Sequence, residues 1–183
     1  FDLTNKYFII TGGTGLLGQK HAEAIAEMGG TPIILDINKN KIIEVATRLR
    51  DEYRVDALGY VCDITNEDNI LEVQNLILGK KIEIHGLINN AANNPKMDGC
   101  KNSSRLENFS LQQWYDDFNV GVTGAFLCSR IFGSTMARAE SVVIINISSD
   151  LGLIAPNQRL YYQEGLPDIS HFPSVPRQHE INA

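Results

Sequence analysis

The sequence predicts an α/β protein built on a doubly wound parallel sheet that is incomplete at its C-terminal end. Short apolar runs of strand length alternate with stretches whose apolar residues recur at helical spacing. This alternation is typical of a parallel sheet, because parallel strands are usually joined by a helical crossover. A glycine-rich segment follows the first apolar run and an acidic residue closes the second. The alternation stops after the fifth run, which is why the predicted sheet is incomplete.

The first half of this pattern is strand, helix, strand, helix. The first strand is Tyr7–Thr11, and its helix runs from about Leu16 to Met28, where Gly29 and Gly30 end it. The second strand is Pro32–Asp36. The second helix runs from about Lys39 to Glu52. Its apolar residues, predicted to share one side, are Ile42, Ile43, Val45, Ala46 and Leu49.

The third strand is predicted over Ala57–Asp63, and the fourth over His85–Asn90. Between them Thr65 opens a helix, and Asp68 three residues later completes a capping-box pattern. The apolar residues predicted to share one face of this helix are Ile70, Val73, Leu76 and Ile77.

A polar stretch from Asn93 to Asn108 predicts a surface loop. Ser110 with Gln113 then caps a long helix that continues to about Ala137. The fifth strand, Ser141–Ile147, is almost continuously apolar, which predicts burial on both faces.

Composition narrows the class of protein. The 183 residues, 43% hydrophobic and 21% charged, suit a globular domain with a sizeable core. A net charge of -6 argues against nucleic acid or an anionic membrane as partner. The cysteines form no CxxC pair and the histidines show no metal-ligand spacing, so we predict no metal site and a reducing, cytoplasmic location. No apolar run has the length of a signal or membrane-spanning segment.

The glycine-rich segment, Thr11–Gly18, carries the strongest functional signal. A glycine turn between a strand and a helix lets the backbone approach a pyrophosphate and directs helix N–H groups at it. The glycines that the turn, the close approach and the helix packing need fall at Gly12, Gly15 and Gly18. The residues of this segment that we expect to bind a dinucleotide are Gly12, Thr14, Gly15, Leu17 and Gly18.

Asp36 closes the second strand, eighteen residues beyond Gly18. A carboxylate at this place can accept hydrogen bonds from the ribose hydroxyls of an adenosine. It would also repel a 2′-phosphate, so we predict NAD rather than NADP as cofactor. The alternative is an aspartate that merely begins a turn.

Several later motifs resemble the short-chain dehydrogenase/reductase family, in the family's order. Asn89-Asn90-Ala91-Ala92 is similar to its NNAG motif, with Ala92 in place of glycine, and Asp63-Ile64 is similar to its adenine-pocket acid and neighbour. Asn119 matches the helix asparagine that holds a proton-relay water, and Ser149 the catalytic serine. The resemblance spans about Lys6 to Ser149. Taken singly, Asp63 could cap a helix, Ser149 could end a strand and Asn119 could mark a kink.

The resemblance implies a Rossmann-like sheet and an NAD(P)-dependent oxidoreductase, acting on a secondary alcohol or ketone such as a sugar derivative. Ser149 would polarise the oxygen of this small-molecule substrate, and Asn119 would support proton relay. The further cofactor-binding residues that it implies are Asp63, Ile64, Asn90, Ala91 and Ala92. It also implies a homo-oligomer. The glycine spacing suits the epimerases and dehydratases of the family's longer branch as well, which we rank lower because of the NNAA motif and the serine context.

One part of the family pattern is missing. The family uses a tyrosine as general acid/base, with a lysine four residues later, because an unperturbed phenol with a pKa of about 10 is a poor base. No tyrosine in this chain has lysine at that spacing, and Tyr162, at a family-like distance after Ser149, is followed by Leu166. The run Ser148–Asp168 resembles dehydrogenases of bacterial surface-sugar pathways, including flagellin modification.

We therefore expect a truncated or frame-shifted copy of an active dehydrogenase that is inactive as written. The alternative is a non-catalytic NAD-binding scaffold, a pseudoenzyme. Residues 1–155 are predicted to form the NAD(P)-binding domain. Residues 156–183, interrupted by Pro167, Pro173 and Pro176, are predicted to form an irregular loop or tail.

Overall fold

The computed structural model describes residues 1–93, 109–138 and 142–149 of the chain. One compact unit consists of Phe1–Ala92 and Asn119–Ile147. Residues 93, 109–118, 148 and 149 belong to a second unit. The predicted boundary near residue 155 lies outside the described residues and stays a prediction.

The first unit contains a parallel sheet, which confirms the predicted fold class. Its strand order is β3-β2-β1-β4-β5, so the chain builds outward from β1 in one direction and then in the other. Every strand pair is parallel. The strands are β1 Tyr7–Thr11, β2 Thr31–Asp36, β3 Leu58–Val61, β4 Ile84–Asn89 and β5 Val143–Asn146.

Helices follow the strands as the sequence predicts. Those of the first unit are α1 Leu16–Glu27, α2 Lys39–Tyr53, α3 Glu67–Gly79, a π-helical segment Asn119–Gly124 and α5 Ala125–Met136. In the second unit, α4 is Leu111–Phe118, and the Ser110 hydroxyl accepts the N–H of Gln113 at 3.0 Å, as predicted for its cap. No helix among the described residues has the length and apolarity that crossing a membrane requires.

Helices cover both faces of the sheet. Because consecutive strand residues point to opposite faces, neighbouring residues of one strand pack against different helices. Ile9 packs with side chains of α3 and α5, whereas its neighbour Ile10 packs with side chains of α1 and α2. Both isoleucines are fully buried, and β1 lies between β2 and β4 at the centre of the order. The carboxyl ends of β1, β2 and β4 therefore meet at one edge of the sheet.

In two helices, the set of buried residues is smaller than the sequence predicts. Ile43 of α2 and Leu76 of α3 are exposed, whereas the other residues of each predicted set are buried. The buried positions follow the i, i+3, i+4, i+7 spacing of a single stripe, and both exceptions lie beside that stripe.

The predicted start of α3 is wrong. The helix begins at Glu67, and the side chain of Asn66 caps it by accepting the N–H of Asn69 at 3.1 Å. Thr65 lies outside the helix and donates both its N–H and its hydroxyl to Asp63. The carboxylate of Asp63 is a stronger acceptor for these two donors than a backbone carbonyl oxygen would be. This explains why Thr65 belongs to the turn before the helix rather than capping it.

The prediction for the fifth strand is also wrong. The strand is shorter, Val143–Asn146, and all four of its residues are exposed rather than buried on both faces. Among the described residues β5 pairs only with β4, at the edge of the sheet. The third strand is likewise shorter than predicted, Leu58–Val61, with alternating burial that is typical of an edge.

Candidate functional site

The turn between β1 and α1 is packed against the end of β4. Gly12 has a φ of +61°, which favours glycine, and a Cβ atom built there would lie 2.9 Å from the Cα of Ala91. A Cβ atom on Gly18 would collide with the carbonyl oxygen of Gly12. Both positions therefore require glycine for close approach of one backbone segment to another.

Helix α1 starts without a side-chain cap. Gly15 is its N-cap residue, no side chain of the described residues caps this first turn, and the turn holds no acidic residue. Leu17, the second residue of the helix, is half-buried, and Gly15 is exposed. The first N–H groups of any α-helix have no acceptor within the helix, so this end offers donors and a positive dipole to an anion. The arrangement fits the pyrophosphate of a dinucleotide.

Asp36 lies against the same turn. Its Oδ2 accepts the N–H of Thr14 at 3.1 Å and the Thr14 hydroxyl at 2.6 Å, and its Oδ1 accepts the N–H of Asn38 at 3.1 Å. A carboxylate offers about four acceptor positions, so Asp36 keeps capacity on Oδ1 for another donor. The structure thus brings together two residues that the sequence places 22 positions apart.

The NNAA segment holds the other side of the turn. The side chain of Asn90 donates to the carbonyl oxygens of Thr11 and Gly12, at 2.9 and 3.2 Å. Thr11, which is buried, accepts the N–H groups of Asn90 and Ala91 on its hydroxyl, both at 3.0 Å. Ala92 follows as an exposed residue. Thr11 was not predicted as a site residue, although a hydroxyl that ends an apolar strand is a signal that could have identified it.

Asp63 and Ile64 have different environments. Asp63 is exposed, and its Oδ1 accepts the N–H and hydroxyl of Thr65 at 2.9 and 2.7 Å. Ile64 is buried in the core, where it packs against Gly124 of the π-helical segment. Packing covers most of the Ile64 side chain, so a contact with a cofactor would fall mainly on its backbone.

The two residues predicted to be catalytic lie in different units. Asn119 is exposed and begins the π-helical segment of the first unit, a kind of segment that occurs often at functional sites. Ser149 is half-buried in the second unit. The tyrosines and the lysine position considered after Ser149 lie outside the described residues.

A polar cluster that was not predicted joins the ends of β4 and β5. The side-chain nitrogen of buried Asn89 donates to Ser129 Oγ at 3.0 Å and to Asn146 Oδ1 at 2.8 Å. The N–H of Ile147 donates to the carbonyl oxygen of Asn89 at 3.0 Å. Asn89 Oδ1 is buried and has no hydrogen-bond partner among the described residues. The cluster holds the carboxyl ends of β4 and β5 together.

The buried cysteines are poor nucleophiles. Burial, with a smaller effect from Asp63, raises the pKa of Cys62 to about 12. Burial, with a smaller effect from Cys62, raises that of Cys128 to about 12. Within the described residues no group of three or more His, Cys, Asp or Glu side chains could hold a metal ion; Cys100, His171 and His179 lie outside them.

The parallel sheet, its glycine-rich turn and the uncapped helix that follows define a dinucleotide-binding α/β domain. The family model described as short chain dehydrogenase matches residues 6–163, and the chain belongs to that family.

Known relatives agree with this assignment. The NAD-dependent glycerol dehydrogenase of Listeria innocua is 27% identical over 168 residues, which cover 88% of this chain and 59% of that protein. The post-translational flagellin modification protein A of Campylobacter coli is 26% identical, over 87% of this chain and 61% of that protein. The chain thus spans about three fifths of the length of these relatives.

A crystal structure of NAD+-bound xylitol dehydrogenase has the same fold. It superimposes with a TM-score of 0.74 at 24% sequence identity, over 85% of this chain and 57% of that one. Solved structures with this fold include the NAD+-bound xylitol dehydrogenase and an NADPH-dependent 3-quinuclidinone reductase, so proteins of this fold use nicotinamide dinucleotides of either kind.

Proposed function

We propose that the chain binds NAD(H) at the turn between β1 and α1, as the cofactor-binding part of an oxidoreductase for secondary alcohols or ketones. The observation that carries this proposal is the pairing of an uncapped helix start with Asp36 beside the glycine-rich turn. The first suits a pyrophosphate and the second an adenosine ribose. Relatives named for glycerol and xylitol support a polyhydroxylated substrate, such as a sugar derivative.

NAD is favoured over NADP by the charge of Asp36. Its Oδ1 can still accept a ribose hydroxyl, whereas a 2′-phosphate at the same place would meet a carboxylate. Within the described residues, Asp36 has hydrogen bonds from Thr14 and Asn38 and no cationic side chain is paired with it. Replacement of Asp36 by serine should therefore reduce the preference for NADH.

When bound, the nicotinamide group supplies hydride transfer, and the residues of this chain bind and orient. The turn residues Gly12, Thr14, Gly15, Leu17 and Gly18 would hold the pyrophosphate. Asn90 and Ala91 are hydrogen-bonded to the turn. By resemblance to the family, Ala92, Asp63 and the backbone of Ile64 would also contact the cofactor. Ser149 would polarise the substrate oxygen and Asn119 would support the proton relay.

A second candidate function is a binding protein without turnover. The observation that favours it is the absence from the sequence of any tyrosine followed four residues later by lysine. Without that pair, a phenol with a pKa of about 10 would have to act unaided at neutral pH. We therefore propose that this chain binds NADH but oxidises no alcohol.

Titration of the purified 183-residue chain with NADH, followed by nicotinamide fluorescence, tests the proposal. We expect saturable enhancement for the natural chain and none for Gly12→Ala, since the added Cβ would strain a φ of +61° and press on Ala91. Gly79→Ala in α3 is the matched control, because a Cβ atom there meets nothing within 4 Å.

Lack of saturable NADH binding by the natural chain up to about 1 mM, the upper end of ordinary affinities, would refute the proposed cofactor. Measurable reduction of NAD+ with glycerol, xylitol or another polyol would instead refute the non-catalytic candidate.

A further inference from the structure

Gln19, a residue of α1, connects the glycine-rich turn to the second helix, α2. Its side-chain nitrogen donates to the carbonyl oxygen of Thr14 at 2.9 Å, and its side-chain oxygen accepts from Arg48 of α2 at 3.1 Å. Arginine has only donors, so the amide oxygen must face Arg48 and the amide nitrogen must face the carbonyl. Arg48 thereby sets the direction in which Gln19 donates.

Arg48 is itself held firmly. Its Nη1 lies 2.8 Å from Glu23 Oε1 and 3.2 Å from Glu52 Oε2. The side chains of Arg48 and Glu23 are 32% and 15% exposed, so this pair is partly shielded from water. Burial alone would lower the pKa of Arg48, but the two carboxylates outweigh it and the pKa is raised.

Thr14 stands between this arrangement and Asp36. Its carbonyl oxygen accepts from Gln19, while its N–H and hydroxyl both donate to Asp36 Oδ2. Thr14 is buried, so its rotation is restricted by packing as well as by these bonds. A hydrogen-bonded path thus runs from α2 through α1 and the turn to the end of β2.

We propose that Gln19 and Arg48 are positioning residues of the dinucleotide site, which hold Thr14 so that Asp36 presents Oδ1 to the adenosine ribose. This inference rests on the proposed NAD(H) function. Neither residue is placed at the cofactor itself. Their effect falls on the hydrogen-bond geometry of Asp36, and therefore on the discrimination between NADH and NADPH.

A purely structural role makes a different prediction. If Gln19 only pinned α1 to α2, any substitution that kept its bond to Arg48 would preserve cofactor binding. Gln19→Glu does keep an acceptor for Arg48, with a full charge that strengthens the contact. It removes the donor to the Thr14 carbonyl and places a carboxylate oxygen there instead.

The experiment compares NADH and NADPH dissociation constants of the natural chain, Gln19→Glu and Arg48→Gln, together with the unfolding temperature of each. We expect Gln19→Glu to unfold no earlier than the natural chain and to lose NADH affinity by about threefold to tenfold, the effect of one hydrogen bond. NADPH affinity should fall less, so the preference for NADH narrows. Arg48→Gln should change the preference in the same direction.

Glu27→Gln is the matched control, since Glu27 is exposed at the end of α1 and, within the part of the chain that the structure describes, has no hydrogen bond or ion pair with Gln19, Arg48 or Glu23. It should leave both dissociation constants unchanged. Equal losses of NADH and NADPH affinity in Gln19→Glu, or no loss, would overturn the positioning role. Absence of NADH binding by the natural chain would instead overturn the proposed function on which it rests.

Discussion

Thr11 sits at the end of β1, where its hydroxyl oxygen accepts hydrogen bonds from the N–H groups of Asn90 and Ala91. It is buried, so water cannot replace these bonds at little cost. A single side-chain oxygen thus satisfies two backbone donors and ties the glycine-rich turn to the turn that follows β4.

Replacement of Thr11 by valine should destabilise the fold by about 1–3 kcal/mol, because two partly buried N–H groups lose their acceptor while the side-chain volume is kept. Thr11→Ser keeps the hydroxyl and should cost about 0.8 kcal/mol for the methyl group removed. Urea unfolding followed by circular dichroism measures both. Equal losses in the two variants would show that the hydroxyl contributes little.

Single residues were predictable where a motif fixes them. Gly12, Asp36 and Asn90 were identified from spacing along the chain, and the structure brings them to one edge of the sheet. Gln19 and Arg48 were not, because their bonds join helices that only the folded sheet brings together. Nothing in the local sequence distinguishes them from other polar residues on a helix surface.

At the scale of elements, asparagine caps begin two helices. Asn38 caps α2 and Asn66 caps α3, each accepting a backbone N–H three residues later at 3.1 Å. The start of each of these helices therefore depends on a short polar side chain, which lies outside the periodic pattern of apolar residues. This explains why strand and helix centres were predicted more accurately than their ends.

The cap of α3 provides a test of the corrected helix start. Asn66→Ala should destabilise the chain by about 1 kcal/mol, whereas Asn66→Asp, which keeps a capping oxygen, should cost little. Thermal unfolding of both variants, followed by far-ultraviolet circular dichroism, gives the comparison. If alanine is tolerated as well as aspartate, Asn66 is not the effective cap.

The π-helical segment Asn119–Gly124 was not predicted, since the sequence indicated one uninterrupted helix to about Ala137. Gly124, the last residue of the segment, packs closely against Ile64, since a Cβ atom there would lie 2.6 Å from the Ile64 side chain. The absence of a side chain at Gly124 lets the chain that follows β3 approach this segment. Such a contact depends on residues 60 positions apart and has no periodic signal in the sequence.

At the scale of the whole molecule, the sheet determines which apolar residues are covered. Residues of β1, β2 and β4 are buried, whereas β5, with an equally apolar sequence, is exposed. The strand itself was predictable from its composition. Its burial was not, because burial depends on what packs beside a strand rather than on the strand.

This exposure predicts self-association through β5. Ile145, 43% exposed on the outer strand of the described part of the sheet, should contribute to it, since exposed apolar side chains favour association with another chain. Ile145→Thr keeps β-propensity and should reduce both binding of the dye ANS and the concentration-dependent sedimentation of the chain.

Leu78→Gln on α3 is the control, because Leu78 is exposed to a similar extent, 42%, but lies on a helix rather than on β5. It should leave sedimentation unchanged. Identical behaviour of the two variants would mean that general surface apolarity, and not the β5 edge, drives association.

The contact between Gly12 and Ala91 also has a bearing on the order of folding. The turn that would hold the cofactor is formed by residues 11–18, yet its shape is completed by a segment about 80 positions later. Contacts of such long sequence separation form late, since the entropy of closing the loop must first be overcome. An isolated β1–α1–β2 fragment would therefore lack a finished pocket, and ligand affinity would emerge during refolding only after β4 has docked.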